Sequence, residues 1–187
     1  MPELMSSEIL CGKKVYLQPV SDEDFLKMLE WGNDPELRYL MGQWKEDMED
    51  VDWYKRLKDG KTSQMFAIYT SDDGLIGDIE LINITWRNHQ AELIIRIGDK
   101  RYWGQGYGTD AIILILQYAF MELKLQEVYL RVHNYNRRAI RCYEKCGFKK
   151  EGVLRFKNYR GRKGYSIILM NVLRHEFLTH FAFRLEA

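Results

Sequence analysis

At 187 residues, with 46% apolar and 29% charged residues and a formal net charge of +1, the chain suits one ordinary globular domain able to bury a substantial core. Its longest apolar run, Ala111 to Met121, is broken by Gln117 and falls well short of the ~20 residues of a membrane span, and the first ten residues lack the layout of a secretory leader. The cysteines, Cys11, Cys142 and Cys146, are odd in number and lack histidine partners at metal-site spacing, which argues against a disulfide framework and for reduced thiols in a cytoplasmic protein.

The first strand is predicted over Lys13 to Val20, after an N-terminal arm of residues 1–12. Ser21 and Asp24 have the spacing of a capping pair, so a helix follows from Asp22 to Trp31 and stops at Gly32. Asn33-Asp34-Pro35 starts a short second helix that ends near Met41-Gly42. Glu46 to Lys58 reads as a third, with Met48, Val51, Trp53, Tyr54 and Leu57 on one broad face. Strand chemistry then takes over. Met65–Thr70, the turn Ser71-Asp72-Asp73-Gly74 and Leu75–Ile84 make a hairpin, and Ala91–Ile97 adds a third strand. Asp110–Leu123 is apolar on nearly every side, as for a helix packed on a sheet. A strand over Glu127–Val132, a helix over Arg137–Cys146 capped by Asn136 and stopped by Gly147, and a hairpin of Phe148–Leu154 with Tyr165–Leu173 complete the order. This is mixed α/β in a single domain. The extension 174–187 carries Phe177, Leu178, Phe181 and Leu185, a face for packing on the domain or across a homodimer.

Charge is unevenly spread. Ser21 to Asp59 holds 12 acidic against 6 basic residues, and Glu122 to Arg174 holds 14 basic against 4 acidic. The basic half suits an anionic ligand and the acidic part a cationic one, with solvated helix faces as the plain alternative.

Between the Ala91–Ile97 strand and the following helix lies Arg101-Tyr102-Trp103-Gly104-Gln105-Gly106-Tyr107-Gly108-Thr109. Glycines at a strand-to-helix turn let an anion approach the unpaired amides of the helix start. No Gly-Lys follows, so this is not a P-loop, and the glycine spacing does not fit a dinucleotide fingerprint. Arg101-x-x-Gly104-x-Gly106 resembles the Arg/Gln-x-x-Gly-x-Gly/Ala signature of the GNAT acetyltransferase superfamily. Asn136-Arg137-Arg138-Ala139 followed by Tyr143-Glu144-Lys145-Cys146-Gly147-Phe148 resembles a second element of that family at family spacing. Leu75 to Leu81 and Ala91-Glu92-Leu93 are similar to the branch holding ribosomal-protein N-terminal acetyltransferases and spermidine acetyltransferases.

The resemblance implies an α+β fold, a mixed, mostly antiparallel central sheet flanked by helices, and N-acetyl transfer from acetyl-CoA. Arg101, Gly104, Gln105, Gly106, Tyr107, Gly108 and Thr109 would hold the pyrophosphate, and Ile95, Ile97, Asn136 and Arg138 would lie along the coenzyme. Tyr143 would protonate the leaving thiolate; a phenol of pKa ~10 suits an acid. For the base, Glu80 and Glu92 are carboxylates in apolar strands, each equally readable as an outward residue or as the partner of an arginine such as Arg96, and an ordered water chain is a third route. The acceptor is expected to be a cationic amine, a polyamine-like molecule or a peptide N-terminus. Neither a metal, nor nucleic acid, nor a membrane is expected as partner. A non-catalytic acyl-CoA-binding regulatory module is the alternative.

Overall fold

The computed structural model describes residues 9–42, 62–156 and 164–185; the helix expected over Glu46–Lys58, with Trp44 and Trp53, lies outside them. The elements are β1 (Leu10–Cys11), β2 (Tyr16–Pro19), α1 (Asp22–Gly32), α2 (Pro35–Leu40), β3 (Gln64–Thr70), β4 (Gly74–Thr85), β5 (Gln90–Ile97), α3 (Tyr107–Gln117), β6 (Glu127–His133), α4 (Arg137–Lys145), β7 (Lys149–Phe156), β8 (Tyr165–Leu173) and α5 (Arg174–Leu185). The strands form one sheet in the order β1-β2-β3-β4-β5-β6-β8-β7, antiparallel except between β5 and β6.

Local chemistry explains most boundaries. Ser21 Oγ accepts from the Asp24 amide at 3.2 Å while Asp24 Oδ2 accepts from the Ser21 amide at 2.8 Å, so both bonds of the capping box form. Asp34 caps α2, with Pro35 in its first turn, where a missing N–H costs nothing. Two expectations are corrected. The N-terminal arm contributes β1, which pairs Leu10 with Leu17 at the sheet edge. α3 begins at Tyr107 rather than Asp110, because Gly106 takes a φ of +88° and turns the chain into the helix. The C-terminal extension packs on the domain, one of its two expected placements: Phe177 and Phe181 are buried, and Phe177 packs against Phe120 at 5.4 Å.

The sheet has two unlike faces. On one, Phe66, Ile79, Leu81, Leu93, Val128 and Val172 build the main core with α3 and α5. On the other, Met65 and Ala67 pack under Met28 of α1. The cross-strand register places Asp78, Glu80, Ile94, Arg96 and Glu92 on this second face as well. Among the described residues no helix is long and apolar enough to cross a membrane.

Candidate active site

β5 and β6 pair in parallel only at Gln90–Glu127, Ala91–Val128 and Glu92–Tyr129. Beyond that rung β5 stays bound to β4 as far as Ile97, and β6 stays bound to β8 as far as His133, so the two strands diverge into a fork. A cleft of about 530 Å³ fills it, lined by Ile95 and Ile97 from β5, Val132 from β6, Ile112 from α3 and Tyr143 from α4. Among the described residues the side of β5 facing the fork therefore has no strand partner past Glu92, and an extended ligand with amide groups can bond to it as a strand would.

The glycine loop closes the open end. Gly104, Gly106, Gly108 and Thr109 line the cleft. Gly106 is the N-cap of α3 and has no side chain with which to cap it, leaving the first-turn amides to a ligand. Asp110, also in that first turn, would repel an anion, but its Oδ2 accepts from the backbone amides of Lys14, at 2.7 Å, and Val15, at 3.1 Å. Lys14 reaches the loop itself: its Nζ donates to the Gln105 carbonyl at 3.0 Å. Three expected loop side chains point elsewhere. Arg101 is 72% exposed and paired with Asp99 at 2.7 Å, Gln105 donates to the Arg101 carbonyl, and Tyr107 packs edge-on against Tyr102. None of the three lines the cleft.

α4 forms the opposite wall. Asn136 Oδ1 caps it by accepting from the Ala139 amide at 3.2 Å, and its Nδ2 donates to the Leu40 carbonyl of α2. The Arg138 guanidinium stacks 3.4 Å from the centre of the Trp103 ring, whose indole N–H donates to the Ile97 carbonyl at 2.8 Å. With Arg141 and Lys145 also on the cleft, this wall is strongly cationic. Tyr143 is 8% exposed and packs on Phe148. Among the described residues no protein group hydrogen-bonds its hydroxyl, and burial pushes the phenol well above its ordinary value of 10, so it is protonated at any working pH.

The two candidate carboxylates part company. Glu92, 4% exposed, stands at the closed end of the fork and lines the cleft. Arg131 holds it bidentately, Nε to Oε1 at 2.7 Å and a terminal nitrogen to Oε2 at 2.9 Å, and Asn83 donates to Oε2 at 3.1 Å. Glu80, opposite Ile94, is buried on the same face but does not line the cleft. Arg96, named as a partner for either, pairs with Asp78 at 2.7 Å.

α2 spans the cleft mouth. Lys100 Nζ binds Asp34 and Glu36 at its start, and at its end Tyr135 donates to the Tyr39 carbonyl at 2.8 Å. Leu37, Leu40 and Met41 face the cleft from above, beside His133. The contact at His133 is tight: a Cβ on Gly42 would lie 1.9 Å from His133 Nε2, so only glycine lets the backbone pass.

Residues 14–149 match the acetyltransferase (GNAT) domain family. The chain belongs to the GNAT acetyltransferase family. It is an N-acetyltransferase, as its GNAT relatives are. It is 29% identical over 170 residues to spermidine N(1)-acetyltransferase of Escherichia coli K12, covering 88% of this chain and 89% of that protein. Over 161 residues it is 31% identical to the probable N-acetyltransferase YjcK of Bacillus subtilis, covering 79% and 87%. The crystal structure of spermidine N-acetyltransferase from Vibrio cholerae in complex with CoA and spermine superposes with a TM-score of 0.77 at 26% identity, covering 88% of this chain and 98% of that one. Within this GNAT site, Arg131, Lys14 and His133 were not legible as site residues. Arg131 alternates with apolar neighbours in its strand like any solvent-facing residue, and only the β5–β6 pairing shows its partner.

Proposed function

We propose that the protein transfers the acetyl group of acetyl-CoA to a cationic primary amine, with donor and acceptor meeting in the fork between β5 and β6. The observation that carries this reading is the fork itself. It ends on a buried carboxylate, is roofed by glycine-loop amides and a cationic helix, and has in its wall a tyrosine hydroxyl without a partner among the described residues. The residues fit the coenzyme on their own geometry: Gly106 leaves the helix start uncapped, Asp110 is turned away from it, and the basic wall offsets phosphate charge. When bound, acetyl-CoA supplies the thioester acetyl group and a sulfur leaving group.

The rest is the work of this chain. The loop from Gly104 to Thr109 binds the pyrophosphate through backbone N–H groups, with Lys14 and Arg138 adding charge. The free side of β5, carrying Ile95 and Ile97, aligns the pantetheine arm. Glu92, held as an acceptor by Arg131, takes the proton of the incoming amine directly or through water. Tyr143 delivers its hydroxyl proton to the departing sulfur. Burial keeps the Tyr143 phenol protonated, so the proton it donates is in place when the sulfur departs.

For the acceptor, a polyamine-like molecule is favoured by the relatives named for spermidine, and a peptide N-terminus shares its charge. Asp22, Glu23 and Glu30 lie exposed on α1, whereas Asp24, Asp34 and Glu36 are already engaged by Tyr69 and Lys100. The free thiols suit a reducing compartment such as the cytoplasm. The test follows thiol release from acetyl-CoA over a panel of polyamines, amino acids, aminoglycosides and N-terminal peptides. Acceptor-dependent release, strongest with di- or polycationic amines, is expected. Absence of acceptor-dependent release anywhere on a broad panel, despite measurable coenzyme binding, overturns the reading.

A further inference from the structure

The cleft holds a nucleophile that direct acetyl transfer does not use. Cys142 lies on α4, one residue before Tyr143, and lines the same fork. Its Sγ is 3.3 Å from Thr109 Oγ1, in the first turn of α3, and 3.7 Å from the point a Cβ would occupy on Gly108, so the sulfur abuts the backbone of the glycine loop. Cys146, one turn along the helix, is fully buried, with its Sγ 3.7 Å from the Thr109 carbonyl oxygen. Of the two thiols, only Cys142 faces the cleft. Arg138 and Lys145, one turn to either side, bring positive charge to the same wall. Tyr143, a neighbour 8% exposed, lines the same fork with a hydroxyl that has no protein partner among the described residues, which marks this part of the fork as built for a ligand's atoms.

We propose that Cys142 is a modification site of the coenzyme cleft: its thiolate exchanges with the disulfide form of coenzyme A, and the mixed disulfide fills the fork and stops turnover. The inference rests on the coenzyme reading above. In the step, Cys142 releases its proton to solvent and its Sγ attacks one sulfur of the disulfide. The new Sγ–S bond forms as the old S–S bond breaks, and the second coenzyme leaves as a thiolate that water protonates. No oxidant beyond the disulfide is consumed, and excess thiol reverses the exchange.

Hydrogen bonds from Cys146 and Thr109, with the charges of Lys145 and Arg138, outweigh burial and draw the Cys142 thiol down to about 7. That alone gives little advantage. At neutral pH the thiolate fraction rises ~15-fold over a thiol of pKa ~8.5, but the lower basicity gives back a factor of ~5, leaving about threefold. Any larger preference has to come from non-covalent capture of the nucleotide in the cleft, which saturates.

The experiment incubates the reduced full-length protein with coenzyme A disulfide or, as a probe without the nucleotide, glutathione disulfide, and maps adducts on each cysteine by mass spectrometry. Expected is an adduct on Cys142 that forms about tenfold faster with coenzyme A disulfide, saturates, slows with acetyl-CoA, and reverses with dithiothreitol. Cys142→Ser should abolish it, and exposed Cys11 should show no such preference. An adduct mainly on Cys11, equal rates at Cys142 with both disulfides, or no protection by acetyl-CoA overturns the proposal. Calorimetry of acetyl-CoA binding to the reduced protein separates the two failures. Binding without a Cys142 adduct removes this inference alone, and absent binding removes the coenzyme reading with it.

Discussion

Replacing Tyr143 by Phe separates chemistry from structure unusually well at this site. The ring packs on Phe148 with centroids 5.8 Å apart, and phenylalanine keeps that contact. The hydroxyl receives no hydrogen bond from a protein group among the described residues, although the side chain is 8% exposed, so its removal leaves no orphaned partner. Burying an unbonded hydroxyl costs on the order of 1–3 kcal/mol, partly relieved here by contact with the cleft. Deleting it is therefore neutral or stabilises by about 1 kcal/mol, a rise in Tm of no more than ~2–4 °C for a chain of this size. Catalysis should respond in the opposite sense. Loss of a positioned acid lowers kcat by about 10²–10⁴, or ~3–5 kcal/mol of barrier, with the KM for acetyl-CoA little changed. Thiol release at saturating substrates and a thermal melt on the same preparation measure both. An unchanged kcat refutes the acid role. A fall in kcat accompanied by a Tm drop of several degrees refutes the claim that the hydroxyl serves the reaction rather than the fold.

Gly42→Ala should destabilise by about 2–3 kcal/mol in denaturant titration, because its Cβ would meet His133 Nε2 at 1.9 Å on a backbone with φ +74°; a change below ~0.5 kcal/mol contradicts the packing described. Arg131→Met leaves Glu92 buried without its bidentate partner, and with Arg131 itself 54% exposed the expected loss is about 2 kcal/mol, smaller than for a fully buried pair. Urea titration reads it, and equal stability of Arg131→Met and wild type counts against the clamp. Burial depresses His133 below its ordinary 6.5, and the rings packed against it are Tyr135, stacked at 5.1 Å, and Tyr165, tilted at 5.2 Å. Its contribution is thus complete above about pH 6.5 and is lost as pH falls, since the unfolded chain takes up the proton first. A Tm series from pH 7.5 to 5 should fall less steeply for His133→Phe, and parallel slopes would dismiss this residue as the cause.

Local signals made most elements readable. The Ser21–Asp24 capping box, the Asp34-Pro35 start of α2, the Asp72-Asp73-Gly74 turn and the Asn136 cap act within a few residues, so their spacing survives in the sequence. The glycine loop was legible for the same reason. What stayed hidden depends on distant partners. β5 keeps its apolar pattern through Ile97, yet its pairing with β6 ends at Glu92, because β6 turns with β8 while β5 follows β4. Glu80 and Glu92 look alike in sequence, and only the position of the fork places one in the cleft and the other behind it. Arg101 carries the family signature, but its charge is spent on Asp99 two residues away.

The most direct test of the account supplies acetyl-CoA labelled in its acetyl group and follows the label by mass spectrometry in the acceptor. The account predicts that the label arrives on an amine nitrogen, with one coenzyme thiol released per acetylated amine and the yield collapsing when Tyr143 is replaced by Phe. Tight, stoichiometric coenzyme binding with no labelled amine from any cationic acceptor would contradict it.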